Sequence, residues 1–356
     1  MRRVLVTLVA VVGVVALLAW AFRAPIALRL FHAGLERNLA ADPIADLPDG
    51  LHVVLCGAGG PLPDPLRSGP CTAIVAGRTL FVVDAGTGGA RNMGRLGVPP
   101  GQVAAVFLTH FHSDHIDGLG ELALLRWAGA GHAEPLPVFG PEGVEEVTRG
   151  FDRAYAADAR YRVAHHGAEV VPPGGAGLVA RPFRQPRSGN ALTVYDAGGV
   201  RVTAFRVNHE PVDPAVGYRF DYAGRSLLVS GDTSRSDEVQ RNAQDVDLLI
   251  HEGLASRLVA VMTEAASNAN RPNLAKIASD IPSYHTTPVE AAGIAQAAGA
   301  RHLLFNHVVP PLLVPGLESV FLEGVADAYT GPVTLGRDGT TVSLPAGSQA
   351  IELSQR

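Results

Sequence analysis

A short apolar strand, Ala104 to Thr109, runs directly into His110-Phe111-His112-Ser113-Asp114-His115, so four side chains able to ligate a metal fall within six residues. Imidazole and carboxylate suit Zn²⁺, Mn²⁺ or iron, and strand alternation lets His110 and His112 point the same way off the strand end. Asp114 and His115 begin the following helix and can turn toward a second position, so one cluster can serve two cations. A lone histidine is read as a satisfied core or surface residue; four ligands in a run of six are not.

Around this cluster the chain reads as short apolar strands separated by glycine and proline: Leu51 to Leu55, Cys71 to Ala76, and Leu80 to Asp84. Helical patterns interleave at Ile116 to Trp127, Pro141 to Ala156, Arg257 to Asn268 and Pro288 to Ala298. The last opens with Thr287, Pro288 and Glu290, a capping box with proline at the first helical position. Gly217 to Tyr222 and Arg225 to Ser230 flank Ala223-Gly224 as a hairpin, and a later hairpin is expected around Asp338-Gly339. Strands and helices in both halves predict an α/β fold with two sheets sandwiched between helical layers. The stretch from Arg160 to Asn190 has the weakest periodicity and reads as a lid or an irregular surface connection. Gly57, Gly59 and Gly60 are followed by Pro61 and Pro63 rather than a helix, so they form a turn near the pocket and not a dinucleotide loop. His165 and His166 either line that pocket or sit on the surface, whereas His32, His52, His132 and His302 read as structural.

Composition narrows the partners. The 356 residues are 47% apolar and 18% charged, enough to bury a large core. The net charge is −5, Lys276 is the sole lysine, and no basic tract of nucleic-acid-binding type is present. Two cysteines exclude a disulfide scaffold and a cysteine zinc knuckle; Cys56 and Cys71 either pair in an oxidising compartment or stay as buried thiols.

At the amino end Arg2 and Arg3 precede a charge-free run from Val4 to Phe22, closed by Arg23. At about 1.5 Å per residue such a helix just spans a hydrocarbon core of roughly 30 Å, which favours an anchor over residues 1–23. Ala19-Trp20-Ala21 also has the form of a signal-peptidase site, the alternative being a cleaved, secreted chain. Either way the body is expected outside the cytoplasm. Residues 24–48, with Leu28, Phe31, Leu35 and Leu39 at helical spacing, form a juxtamembrane amphipathic linker, and residues 49–356 the remaining domain.

His110-Phe111-His112-Ser113-Asp114-His115 resembles the HxHxDH signature of the metallo-β-lactamase superfamily, and the remaining family positions follow in order. Asn208-His209 resembles the third histidine of the first metal site, Ser230-Gly231-Asp232-Thr233 the motif whose carboxylate bridges both metals, and Phe305-Asn306-His307 the last ligand of the second. The resemblance implies a four-layer αβ/βα sandwich, one metal on His110, His112 and His209, another on Asp114, His115 and His307, and Asp232 between them. Gly217-Tyr218-Arg219-Phe220, His251-Glu252 and Tyr284-His285-Thr286-Thr287 are similar to segments of the ribonuclease Z and arylsulfatase-like branch. That branch implies proton transfer by His285 beside the scissile bond, with Asp114 orienting the nucleophile as well as ligating; His251 and Glu252 read as groups that fix ligand tautomers, or as a strand-end polar pair. It also suggests a homodimer.

Two divalent cations, zinc first with manganese or iron as options, activate a bridging hydroxide near neutral pH and stabilise developing negative charge. The expected activity is therefore hydrolysis of a small phosphodiester, sulfate ester or related ester. Ribonuclease Z-type processing of the tRNA 3′ end is the alternative, with export and charge arguing against a nucleic acid; among loop clusters only Arg181, Arg184 and Arg187 can serve it. A non-catalytic metal-binding scaffold is the third reading, which a missing ligand would have supported.

Overall fold

The computed structural model describes residues 2–356 in two compact units, one ending at Asp46 and the other Leu47–Arg356. The first holds the helices Arg2–Ala21 and Arg23–Ala40. Pro25 lacks an N–H, and its ring conflicts with the carbonyl four residues back, which is Ala21, where the first helix stops. Among the described residues no single helix is long and apolar enough to cross a membrane; Thr7–Ala21 and Arg23–Ala40 meet the test only as a pair bent by 68°. The anchor expected over residues 1–23 is therefore not supported as a single spanning helix among the described residues.

The second unit contains fifteen strands. One sheet is built from β1 (Gly50–Gly57), β2 (Cys71–Ala76), β3 (Thr79–Val83), β4 (Val103–Phe107), β5 (Leu136–Pro141) and β6 (Leu178–Phe183). The other runs through β7 (Ala191–Ala197), β8 (Val200–Arg206), β9 (Val216–Tyr222), β10 (Arg225–Val229), β11 (Leu248–Leu254), β12 (Leu303–Val309) and β13 (Val333–Leu335). The chain then returns to the first sheet as β14 (Thr340–Pro345) and β15 (Glu352–Gln355), giving the orders β15-β14-β1-β2-β3-β4-β5-β6 and β13-β12-β11-β10-β9-β8-β7. Both sheets are mixed: β3 to β6 and β10 to β13 run parallel, the other pairs antiparallel.

Period-two alternation sends Leu51, Val53 and Leu55 of β1 into the space between the sheets, where Phe81 and Phe107 meet Tyr218 and Phe220. Phe107 lies edge-on to Tyr218 with centroids 5.4 Å apart. On the outer face of the second sheet, Leu249, Leu303 and Phe305 pack against Ala291, Ile294 and Ala295 of the helix Pro288–Ala298, which carries the expected Thr287/Glu290 capping box. Sheets back to back with helices outside are the α/β sandwich anticipated from the sequence.

Two local expectations fail. Asp338-Gly339 does not turn a hairpin, because β13 and β14 lie in different sheets; the half-buried Asp338 carboxylate instead accepts the backbone N–H groups of Ala58 and Ser68 and the Asn92 amide. The stretch from Arg160 is partly regular, since the helix Val144–His166 runs through it and β6 pairs with β5. Arginine and alanine there carry high helix propensity, which the weak apolar period concealed. His165 and His166 at the end of that helix are exposed. Cys56 and Cys71 are disulfide-bonded.

Candidate metal centre

Most ligand candidates follow the end of a strand, and His307 sits inside one. The first sheet delivers His110, His112, Asp114 and His115 just beyond β4, the last two in the short helix Ser113–Ile116. The second sheet supplies His209 after β8, Asp232 after β10 and His307 within β12. His307 has a positive φ of 43°, and the β11–β12 register passes from Glu252↔Asn306 to Gly253↔Val308, leaving His307 as the extra residue of a bulge. A bulge re-aims a side chain, here into the cluster, at a cost in backbone strain. Gly60 permits this approach: a Cβ there would sit 3.1 Å from His307 Cε1.

His110, His112, His209 and Asp232 form one group whose ligand atoms lie within 4.8 Å of one another, and Asp114, His115 and His307 form a second. Asp232 Oδ2 stands between them, 3.9 Å from the Nε2 atoms of His110 and His209, 3.3 Å from that of His115 and 3.2 Å from that of His307. His112 offers Nδ1, at 2.9 Å from His110 Nε2. Asp232 Oδ1 and His115 Nε2 are buried without a protein hydrogen-bond partner. Buried carboxylate and imidazole lone pairs converging without donors are the chemistry of a cation site, so this donor set fits two metal ions.

The electrostatics of His110, His112 and His209 agree. Burial pushes His110, His112 and His209 below the ordinary histidine range, toward the neutral form that ligates. Burial opposes the charge on Asp232, yet His307 and His115 outweigh it and hold that carboxyl well below the usual range. His115 is pushed down by burial but lifted well above its ordinary value by Asp232 and Asp84.

Residues behind the ligands orient them. Asp84, at φ 57° after β3, accepts from the Thr109 N–H at 2.8 Å and the Thr109 hydroxyl at 2.9 Å, and lies 2.9 Å from His115 Nδ1. His209 Nδ1 is 2.9 Å from the Tyr284 carbonyl. Sequence reading passed over Asp84 and Thr109, because a carboxylate at a strand end carries no distinguishing spacing. Glu252 Oε1 accepts from the Thr233 N–H at 2.9 Å and the Thr286 N–H at 3.3 Å, and lies 2.9 Å from His285 Nδ1. His251 departs from expectation: its Nδ1 bonds the Glu252 carbonyl at 2.8 Å, and its Nε2 has no hydrogen-bond partner, so it fixes no ligand tautomer.

His285 lies with Asp232 and His307 in a third group of close donor atoms. Burial lowers its pKa, but Glu252 and Asp232 raise it to about 9. Two clefts open on the centre. One of about 570 Å³ reaches Asp114 and is lined by Gly60, Pro61, Leu62, Thr87 and Asp117. The other, of about 430 Å³, reaches His112 and His209 and is lined by Glu210, Val212, Ile277 and Tyr284.

Comparison with known proteins agrees with this geometry. Residues 64–269 match the family model described as the metallo-beta-lactamase superfamily. The ribonuclease Z of Mycobacterium bovis (strain BCG / Pasteur 1173P2) is 33% identical over 290 residues, covering 81% of this chain and 96% of that protein. The metallo-beta-lactamase fold protein YhfI from Bacillus subtilis superposes with a TM-score of 0.59 at 21% identity, over 83% of this chain and 100% of its own. Human tRNase Z, short form, gives 0.58 at 20% identity, over 83% and 99%.

Proposed function

Because this chain belongs to the metallo-β-lactamase superfamily and is a metal-dependent hydrolase, we propose that the bond it cuts is a phosphodiester of RNA, as in the relatives named ribonuclease Z. The observation that carries this is the position of Asp232 Oδ2, within 3.9 Å of four histidines from both groups, in a chain one-third identical to a ribonuclease Z along nearly all of that protein's length. The expectation of a small ester weighed charge over the whole chain, which does not report charge at one surface.

His110, His112 and His209 would hold one cation, Asp114, His115 and His307 the other, and Asp232 both. When bound, such a pair lowers the pKa of a water from 15.7 toward about 7 and stabilises negative charge on phosphoryl oxygens. Asp84 and the Tyr284 carbonyl keep His115 and His209 in the tautomers that present Nε2 to the cluster. His285, whose pairing with Glu252 favours the charged form at neutral pH, would give its proton to the leaving oxygen. His112 and Asp114 edge the two clefts, so the chains on either side of a scissile phosphate have separate places to lie.

A second reading, a small phosphodiester met outside the cytoplasm, is favoured by the Cys56–Cys71 disulfide, since such bonds persist in oxidising compartments. The apolar amino end supports the same location. The full chain, assayed in parallel on precursor tRNA, bis(p-nitrophenyl) phosphate, an aryl sulfate and a lactone, is expected to cleave precursor tRNA in preference to the sulfate and the lactone. Turnover of bis(p-nitrophenyl) phosphate with precursor tRNA left intact would favour the second reading. Turnover of the sulfate or lactone with both diesters inert would overturn the assignment of the bond.

A further inference from the structure

We infer that the segment Arg181–Arg187, which joins the two sheets beside the metal centre, is the track on which the backbone phosphates of an RNA substrate lie. This rests on the RNA reading above and names the residues that would carry it.

The sequence here is Arg-Pro-Phe-Arg-Gln-Pro-Arg, with arginine at every third position. Phe183 is half-buried against the inter-sheet core and Pro186 is buried, while Arg181, Arg184 and Arg187 are exposed. Burial therefore also recurs with a period of three. Arg181 is the fourth residue of β6 and pairs with Phe139 of β5, whereas Arg184 and Arg187 follow the strand, where Pro186 fixes its own φ and restricts Gln185 to extended backbone between the two arginines.

The segment is anchored on the catalytic side. Gln185 Nε2 donates to the Ala215 carbonyl at 3.0 Å, and the next residue, Val216, donates its N–H to the Thr109 carbonyl at 2.9 Å. Thr109 immediately precedes His110. Farther along, the Gly189 N–H and the Ser188 hydroxyl both donate to Glu238 Oε1. Arg184 and Arg187 thus stand on an anchored loop and Arg181 on the strand that leads into it, with two hydrogen bonds between Gln185 and the residue that precedes His110.

Their charge is uncommitted. Among the described residues none of the three forms an ion pair, whereas the surrounding acids do: Asp213 with Arg206 at 3.2 Å, Asp196 with Arg201 at 3.2 Å, and Glu238 with Arg241. Glu210 faces the cleft. Three exposed guanidinium groups without ion pairs, spread along one anchored segment, suit successive phosphates better than a single anion.

The test compares the full chain with R184Q/R187Q on a single-stranded RNA substrate and on bis(p-nitrophenyl) phosphate, each across about 50 to 200 mM salt. We expect a lower kcat/KM on RNA, carried by KM, and a plot of log kcat/KM against log salt shallower by about 1.4, two contacts at roughly 0.7 each. Turnover of the small diester should be unchanged, and R184K/R187K should recover most of the RNA activity. An unchanged RNA salt slope, or an equal loss on both substrates, would overturn the proposal. So would loss of binding to phosphatidylserine vesicles with RNA turnover intact, which would assign the arginines to a membrane. Hydrolysis of the small diester by wild type with no RNA cleavage sinks this inference and leaves the bond class standing; inertness toward both diesters sinks both.

Discussion

His285 Nδ1 lies 2.9 Å from Glu252 Oε1, and the same oxygen receives the N–H groups of Thr233 and Thr286. One carboxylate therefore joins the loop bearing Asp232 to the loop bearing His285 and keeps the imidazole charged. Replacing His285 with alanine is expected to slow turnover by about 10² to 10⁴, the usual contribution of a general acid, with metal content unchanged. Glu252→Gln should cost about 10 to 100-fold and move the alkaline limb of the kcat profile to lower pH. Loss of metal in His285→Ala, measured by atomic emission, would make it a ligand or a prop.

Asp232 gives a harder test. Its Oδ2 lies close to both groups of ligands, 3.3 Å from His115 Nε2 and 3.2 Å from His307 Nε2, and its carboxyl is held well below the usual range. Purified wild type should carry about two metal equivalents, and Asp232→Ala should bind less than one and lose turnover altogether. Asp84→Asn, one step back, should retain the fold but lower metal affinity by about 10 to 100-fold, because His115 Nδ1 loses its charged partner. Full occupancy in Asp232→Ala would refute the bridging role.

The run His110 to His115 was legible on its own because four donors fall within six residues, whereas His209, Asp232 and His307 were reached only through the family resemblance of the segments that carry them, and the fold brings their donor atoms beside the run. The hairpin at Ala223-Gly224 was also legible on its own, since φ of 48° and 76° at its two centre residues demands such a pair. What escaped depends on distant chain. Asp338 looked like a turn residue, but its carboxylate closes a network across to Ala58 and Ser68 that no nearby spacing announces. Asp84 became visible only when Thr109 and His115 arrived beside it. The uncommitted arginines are a third case, because whether a charge is paired depends on which acids the fold brings near.

Acid should weaken the domain through Asp247. This carboxylate bonds Arg225 Nε at 3.0 Å and the Ser226 N–H at 2.9 Å, and pairs with Arg301. Burial raises its pKa, but these partners outweigh that and hold it below its ordinary 3.8. A carboxyl depressed in the fold stabilises above its unfolded pKa, so this contribution is complete above about pH 5 and is lost as pH falls below 3.8 toward the folded value. Asp247→Ala leaves the buried Arg225 with backbone carbonyl partners but without its paired carboxylate, and should cost about 3 kcal/mol by urea unfolding at neutral pH, with the difference from wild type shrinking in acid. A difference independent of pH would deny Asp247 its electrostatic part.

The Cys56–Cys71 bond ties the end of β1 to the start of β2 across a sequence separation of 15. The intervening chain supplies Gly60 to Gly69, one wall of the cleft at Asp114, and Gly60 abuts His307. Closing a loop of about 15 residues removes roughly 3 kcal/mol of unfolded-state entropy. C56S/C71S should therefore unfold at lower urea by about that free energy. Because the freed segment forms the cleft wall, KM should rise in the same variant while metal content holds. Reducing the wild-type protein should reproduce both effects. If reductant leaves the unfolding midpoint where it was, the two sulfurs are not bonded in solution, and the support this bond lends to an oxidising compartment is withdrawn.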